Sequence, residues 1–350
     1  MYGLAQKKQH DTDRFSDLGP IEALLNDPEV SEIMVNGHDQ IFVEKRGSII
    51  LTDLHYRNND DLMNVLYRIM QKCGRRINFS SPLEDARLPD GSRVHAVVPP
   101  ITDYPVITIR KFIRQVFDTD ELLEFGTISQ DMVPFFDAVV KGKANIIICG
   151  AANSGKTTFL RWLTTFIPPE ERIITIEDMR ELNLRHPHNV AMEANERVSI
   201  HELMINSLRM RPDRIIIGEV RGKETFELLQ AMGTGHEGSL TTVHANYSVN
   251  EAVHRLIRAM IQAGNVTAEE LEYMICETMD LFVFVKRFAN GMRKVVKIVQ
   301  LEGWNNGPVS RDIFIYRNGH KCVGHLNESL LNKIRDNLAC DLPDIPAFQN

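Results

Sequence analysis

An apolar run that leads into a glycine loop and then a helical pattern most limits how this chain folds. The loop reads Gly150-Ala151-Ala152-Asn153-Ser154-Gly155-Lys156-Thr157 and fits the pattern G-x-x-x-x-G-K-[ST]. Residues 145–149 before it read as a buried strand, and residues 158–163 after it contain neither Gly nor Pro. A strand, a glycine loop and a helix N-terminus in this order direct backbone N–H groups and a positive dipole end at one place. The segment therefore predicts a polyphosphate site.

This segment is called the phosphate loop below (residues 150–157). Its side chains have predicted roles in binding a nucleoside triphosphate. Lys156 would reach the β- and γ-phosphates, and the Thr157 hydroxyl would hold Mg²⁺. The backbone from Gly150 to Thr158 would surround the phosphates. A structural glycine turn is the alternative, and the flanking strand and helix patterns disfavour it. The predicted ligands are ATP and Mg²⁺.

Composition sets the scale of the protein and excludes several classes. The chain has 350 residues, of which 43% are hydrophobic and 25% charged, and this suffices for about two domains with separate cores. A net charge of −7 does not favour free nucleic acid as a partner. The five cysteines lack C-x-x-C spacing, which predicts a reducing compartment and no zinc knuckle. Without a signal peptide or a membrane-spanning apolar run, the expected location is cytoplasmic.

Hydrophobic periodicity divides the chain into predicted domains. Residues 1–17 are polar and predicted to be flexible, and residues 18–113 mix short strands with helices as a small α+β domain. Residues 114–126 read as a linker. Residues 127–303 alternate strand and helix, which is typical of a parallel sheet covered by helices on both faces. The pattern weakens over residues 304–350, which are predicted to be a C-terminal extension.

Acidic residues end two further strands of the alternating region. Glu219 ends an apolar run over residues 215–219, and Glu177 and Asp178 end another over residues 173–178. Because carboxyl ends of parallel strands face the ligand crevice, we expect these acids near the triphosphate. Either Glu219 or Glu177 could orient the attacking water, and the three acids could bind Mg²⁺. Solvated or salt-bridged surface acids are the alternative.

Two histidines bracket the following predicted strand. His236 precedes it and His244 follows it, in the segment Thr234–Asn246. Both lie at strand edges where a polar group can face a crevice, so both are candidates for sensing the γ-phosphate. Ordinary core or surface histidines are the alternative. No further Cys or His lies at ligand spacing, which disfavours zinc binding.

In their order and spacing, these segments resemble the four motif blocks of the type II/type IV secretion ATPase superfamily. The blocks of that family are Walker A, an Asp box, an atypical Walker B and a His box, found here at residues 150–157, 175–178, 215–219 and 234–244. Upstream, Leu88–Val94 with Val98–Pro100 is similar to the CpaF-like branch, which serves tight-adherence (Flp) pili. Two features separate this chain from other members: Met179 stands where Pro is common, and the cysteine-rich zinc insertion is absent.

The resemblance implies an α/β fold: a RecA-like P-loop ATPase domain with a parallel-core sheet, preceded by a smaller α+β domain. It also implies that Arg93 and Arg110, with Arg87 as a third candidate, reach the phosphates from the N-terminal domain as an arginine finger does. Arg209 and Arg221 beside the Walker B strand could act across subunits or domains. Surface salt bridges are the alternative for each arginine.

The resulting interpretation is a hexameric cytoplasmic ATPase at the inner face of the cell membrane, held there by an inner-membrane platform protein. It would power pilus assembly or substrate translocation by a secretion machine, with no direct contact to nucleic acid. Three alternatives stay open: a RecA-like ATPase stimulated by nucleic acid, a nucleotide-gated scaffold with little turnover, and a P-loop kinase.

Overall fold

The computed structural model describes residues 17–45, 47–112, 117–246, 248–261, 266–338 and 341–349. The chain divides into two compact units, Met1–Gln115 and Val116–Asn350. The segment predicted to be flexible, residues 1–17, lies outside the described residues except for Asp17.

The first unit is an antiparallel sheet with two helices packed against it. Its strands are β1 (Val30–Asn36), β2 (Ile41–Lys45), β3 (Ser48–Leu51), β4 (Leu83–Arg87), β5 (Arg93–Val97) and β6 (Val106–Arg110), and its helices are α1 (Ile21–Asn26) and α2 (Asn59–Lys72). The strand order is β3-β2-β1-β6-β5-β4. Helix α2 begins where the Asn58 side chain accepts the backbone N–H of Asp61, and its buried residues recur at helical spacing.

A longer, mostly parallel sheet forms the second unit. Its strands are β7 (Ile146–Cys149), β8 (Ile173–Glu177), β9 (Asn189–Glu193), β10 (Arg214–Ile217), β11 (Leu240–Val243), β12 (Leu281–Arg287), β13 (Arg293–Trp304), β14 (Pro308–Tyr316) and β15 (His320–Cys322). Its helices are α3 (Thr119–Glu124), α4 (Met132–Lys141), α5 (Lys156–Leu163), α6 (Ile200–Ser207), α7 (Glu224–Gly233), α8 (Val249–Met260), α9 (Ala268–Thr278) and α10 (Glu328–Asn337). The strand order is β15-β14-β13-β12-β7-β11-β10-β8-β9.

Alternating side chains of the central strand β7 show why helices cover both faces. Ile146 and Ile148 belong to one buried cluster, whereas Ile147 and Cys149 belong to the other. Successive residues of a strand point to opposite faces, so a wholly apolar strand requires cover on each side. The prediction of an α/β fold with a parallel-core sheet and a smaller α+β unit before it is confirmed.

The predicted linker, residues 114–126, contains helix α3. Asp118 accepts the backbone N–H of Glu121, whose side chain accepts the N–H of Asp118, so the helix begins with a capping box. Leu122 is buried in the core, and Trp162 Nε1 lies 3.1 Å from Thr119 Oγ1. The charged composition concealed this helix because Leu122 is the one residue of its six that is fully buried.

The predicted extension, residues 304–350, is also part of the second unit. Strand β13 runs through the expected boundary at residue 303, and β14 pairs with it. Leu331 and Ile334 of α10 are buried in the same cluster as Phe135 of α4. Among the described residues, no helix is long and apolar enough to cross a membrane.

Candidate nucleotide site

The register of four parallel strands brings the predicted site segments to one edge of the sheet. Cys149 of β7 is paired with Val243 of β11, and Ile217 of β10 is paired with Ile176 of β8. Strand β11 also pairs with β10. The residues that follow or end these strands therefore meet at the carboxyl edge, where a parallel sheet binds ligands.

The phosphate loop has the backbone that an anion requires. Asn153 and Gly155 have positive φ angles of 59° and 98°. A Cβ at Gly150 would lie against Ser154 Oγ and 2.5 Å from the Val285 carbonyl oxygen, so only glycine fits there. Helix α5 begins at Lys156, and the first N–H groups of an α-helix have no acceptor within the helix itself. These features fit a polyphosphate.

Lys156, His244 and Glu219 form a hydrogen-bonded chain beside the loop. The Lys156 side chain is only 7% exposed, and its Nζ lies 3.0 Å from the Ala151 carbonyl oxygen and 3.3 Å from His244 Nδ1. His244 Nε2 lies 2.8 Å from Glu219 Oε1. Because an ammonium only donates hydrogen bonds, Nδ1 accepts from Lys156 and Nε2 carries the proton toward Glu219.

The surroundings of His244 favour its neutral ring. Burial lowers the pKa of His244, the Lys156 charge lowers it further, and Glu219 partly opposes both. A neutral ring holds one acceptor and one donor nitrogen, which is the arrangement that a lysine on one side and a carboxylate on the other require.

Glu177 is buried against the end of β10 and shapes the loop that follows its own strand. Its Oε1 accepts the backbone N–H groups of Glu181 and Leu182 at 2.8 Å and 2.9 Å. Burial is the main cause that raises the pKa of Glu177 to about 7. A Cβ at Gly218 would lie 3.1 Å from Glu177 Cγ, so glycine lets the two strands end side by side.

The predicted metal ligands do not all face one point. Asp178 is exposed and forms an ion pair with Arg221. In the part of the chain that the structure describes, no three His, Cys, Asp or Glu side chains form a metal cage. Bound Mg²⁺ commonly needs only one or two protein oxygens besides phosphates and water, so the expected pair of Thr157, on the first turn of α5, and Glu219 would be enough.

The structure does not bring His236 to this edge of the sheet. His236 precedes β11, and the nearby Gly238 N–H donates to Asn145 Oδ1 at 2.9 Å, at the start of β7. The four residues of β11 alone span about 13 Å. His236 and His244 therefore lie at opposite ends of one strand, and only His244 joins the phosphate loop.

Arg93 and Arg110 lie in the first unit on neighbouring strands. Arg93 is paired directly with Arg110 on β6 and with Arg87 on β4, so three guanidinium side chains begin from one row across the sheet. Like charges at opposed positions destabilise a sheet. Glu32 on β1 is paired with Arg110 at the end of this row and supplies one opposite charge.

Sequence reasoning missed Arg293, which contacts the phosphate loop from β13. Its Nε donates to the Asn153 carbonyl oxygen at 3.1 Å. The signal was weak, because the Asn290-Gly291 turn indicates a hairpin but does not show that β12 pairs with β7.

Three comparisons place the chain among known proteins. Residues 14–298 match the family described as Type II/IV secretion system protein. The type IV secretion system protein PtlH of Bordetella pertussis is 34% identical over 315 residues, covering 80% of this chain and 92% of PtlH. The uncharacterized protein MJ0781 of Methanocaldococcus jannaschii is 40% identical over 238 residues, covering 64% of this chain but 33% of MJ0781.

Among solved structures, the pilus retraction motor PilT with bound ADP has a TM-score of 0.57 with this chain. The alignment covers 88% of this chain and 82% of PilT at 19% identity. At that identity the likeness concerns the fold.

Proposed function

Because this chain belongs to the Type II/IV secretion system protein family, we propose that it hydrolyses ATP to drive a membrane-associated secretion or pilus machine. The hydrogen-bonded chain from Lys156 through His244 to Glu219 is the observation that carries this proposal. It connects the residue that would grip the phosphates to a carboxylate that could position water.

The chemistry is in-line attack of water on the γ-phosphate, with positioning and charge neutralisation as the main contributions. The loop amides and Lys156 hold the phosphates, and Glu219 orients the attacking water. Thr157 and Glu219 would hold Mg²⁺, which neutralises developing negative charge when bound. Glu177 acts as a positioning residue, because its carboxylate is committed to backbone groups in its own loop.

His244 couples the phosphate end of the site to the water end. When a phosphate takes the Lys156 ammonium, the acceptor Nδ1 of His244 loses its donor. The ring and the Glu219 carboxylate bonded to it then reorganise. His244 therefore senses the γ-phosphate, whereas His236 lies at the other end of β11.

Arg93 and Arg110 supply positive charge to the γ-phosphate from the first unit, and Arg87 adds to it. A guanidinium in this role stabilises the charge of the transferring group. We infer that six copies form a ring in which loss of the γ-phosphate after hydrolysis triggers a conformational change.

The machine is proposed from the relatives and from the motif blocks. PtlH is a type IV secretion system protein. The residues from Leu88 to Pro100 favour the tight-adherence pilus branch. We propose that the chain acts in the cytoplasm and is bound peripherally to the membrane through an inner-membrane platform protein.

Steady-state phosphate release tests this function. The wild-type protein should turn over ATP with Mg²⁺, and Lys156→Ala should have no turnover. Lys141→Ala is the matched control, because Lys141 lies on α4 in a partly exposed pair with Asp137. Equal rates for Lys156→Ala and the wild type would refute the site.

Two added measurements separate the alternatives. Light scattering with ATP should give six times the chain mass, and single-stranded DNA should leave the rate unchanged. A rate that rises with DNA and falls steeply with salt would instead indicate a nucleic-acid motor. ATP binding without turnover would indicate a scaffold.

A further inference from the structure

The hairpin that joins β12 to β13 lies beside the phosphate loop. Strand β12 runs parallel to β7, with Phe284 paired with Cys149, so it reaches the carboxyl edge together with β7. Strand β13 returns from that edge, and its first residue, Arg293, is paired with Arg287. The Val285 carbonyl of the same hairpin lies against Gly150. The hairpin therefore flanks both ends of the loop.

Arg293 holds one carbonyl group of the loop. Its Nε donates to the Asn153 oxygen at 3.1 Å, and a Cβ at Gly155 would lie 3.0 Å from Arg293 Cδ. A trans peptide points its carbonyl opposite to the next N–H, so fixing the Asn153 oxygen fixes the plane of the peptide that leads into Ser154. Asn153 has a positive φ of 59°, a conformation that a non-glycine residue adopts at a cost. The charged donor offsets part of that cost.

The backbone of Arg293 is itself held by the segment that follows α3. Thr127 Oγ1 donates to the Arg293 carbonyl oxygen at 2.9 Å, and the Val295 N–H donates to the Thr127 carbonyl at the same distance. Lys294 Nζ donates to the Gly126 carbonyl at 3.0 Å. Gly126 and Thr127 follow helix α3. The start of β13 is therefore held by this segment through its backbone and Lys294, while the Arg293 side chain contacts the phosphate loop.

We infer that Arg293 is a positioning residue that keeps the phosphate loop in its anion-binding shape before nucleotide arrives. Thr127 supports it by fixing the first residue of β13. The effect on nucleotide affinity rests on the function proposed above, whereas the effect on the empty loop does not.

Four variants test the inference. Arg293→Ala should weaken ATP and ADP binding about tenfold, which corresponds to about 1.4 kcal/mol, because the nucleotide must then order the loop. The kcat at saturation should stay within about twofold, since ground and transition states need the same loop shape. Arg293→Lys should restore part of the affinity, and Thr127→Val should weaken it in the same direction by less. Arg317→Ala, an exposed arginine at the β14–β15 turn, should match the wild type.

Hydrogen exchange of the empty protein supplies the second readout. Loop amides should exchange faster in Arg293→Ala than in Arg317→Ala, with unchanged thermal midpoints. Unchanged loop exchange would overturn the inference, and so would faster exchange with unaltered ATP and ADP affinity. If the wild type binds no nucleotide, the proposed function fails, and the exchange rates alone then decide whether Arg293 positions the loop.

Discussion

His244 Nε2 lies 2.8 Å from Glu219 Oε1, while the other nitrogen of the same ring faces the Lys156 ammonium. One imidazole thus links the lysine that we propose binds the phosphates to the carboxylate that we propose orients the attacking water. This link separates the roles of Glu219 and Glu177, which the sequence leaves equivalent.

Glu219→Gln should bind ATP normally and hydrolyse it slowly. The amide keeps the volume but cannot accept a proton or attract water as a carboxylate does, so we expect kcat to fall about a hundredfold or more. Fluorescent-nucleotide titration and phosphate release measure the two effects. A variant that keeps the wild-type kcat would exclude Glu219 from the water-positioning role.

Glu177→Gln should change how stability depends on pH. Burial raises the pKa of Glu177 to about 7 from 4.5, so the folded protein binds a proton that the unfolded chain has already lost between these values. The contribution of Glu177 to the free energy of unfolding is therefore complete below pH 4.5 and is lost as the pH rises to about 7. Each unit by which the folded pKa exceeds the unfolded one corresponds to about 1.4 kcal/mol of this loss. The neutral amide removes that loss.

Thermal midpoints at pH 5 and pH 8 measure this effect. The increase in thermal midpoint of Glu177→Gln relative to the wild type should be larger at pH 8 than at pH 5. Asp178→Asn, at the exposed neighbouring position, is the control and should show no such difference. Equal gains for Glu177→Gln at the two pH values would contradict the buried, proton-binding state.

The order of apolar runs along the sequence predicts most of the fold. Particular residues show why some elements could not be predicted in this way. Strand β7 was predictable because a wholly buried strand is an unbroken apolar run. Strand β4 was not, because only Ala86 of its residues is buried. Helix α3 was hidden by charges, and α10 by its polar face, although Leu331 and Ile334 are buried. A local hydrophobic pattern indicates which residues are buried, but it does not indicate which strands pair with each other.

The same limit explains the outcome at the site. The phosphate loop, Glu219 and His244 were predictable because each follows an apolar strand on the carboxyl side. His236 was grouped with His244 because both flank one strand, although a residue that precedes a parallel strand lies at the opposite edge of the sheet from one that follows it. Arg293 reaches the loop only through the pairing of β12 with β7, which no short-range pattern encodes.

His244 should give the ATPase an acid limb below the usual histidine range. Burial and the Lys156 charge lower the pKa of His244, so the ring stays neutral until the pH falls below 6.5. Protonation then removes the acceptor for Lys156 and lowers kcat/KM. The pH profile of the wild type should bend below pH 6.5, and that of His244→Gln should lack this bend. Loss of the same bend in His236→Gln instead would reverse the assignment of the two histidines.

Arg93→Ala and Arg110→Ala should each lower kcat by at least about tenfold, because an arginine finger contributes more than this to phosphoryl transfer. ATP affinity should change less, since the loop and Lys156 remain. Arg57→Ala, which removes an arginine that is 86% exposed on the same unit, is the control. Full activity in both Arg93→Ala and Arg110→Ala would exclude the two arginines from phosphoryl transfer.

A crystal structure with Mg²⁺ and a non-hydrolysable ATP analogue tests the central claim most directly. We expect the triphosphate in the phosphate loop, with its γ-phosphate beside Lys156 Nζ and guanidinium groups of Arg93 or Arg110 directed at it. A triphosphate bound away from Lys156, or phosphates that neither arginine approaches, would contradict the account.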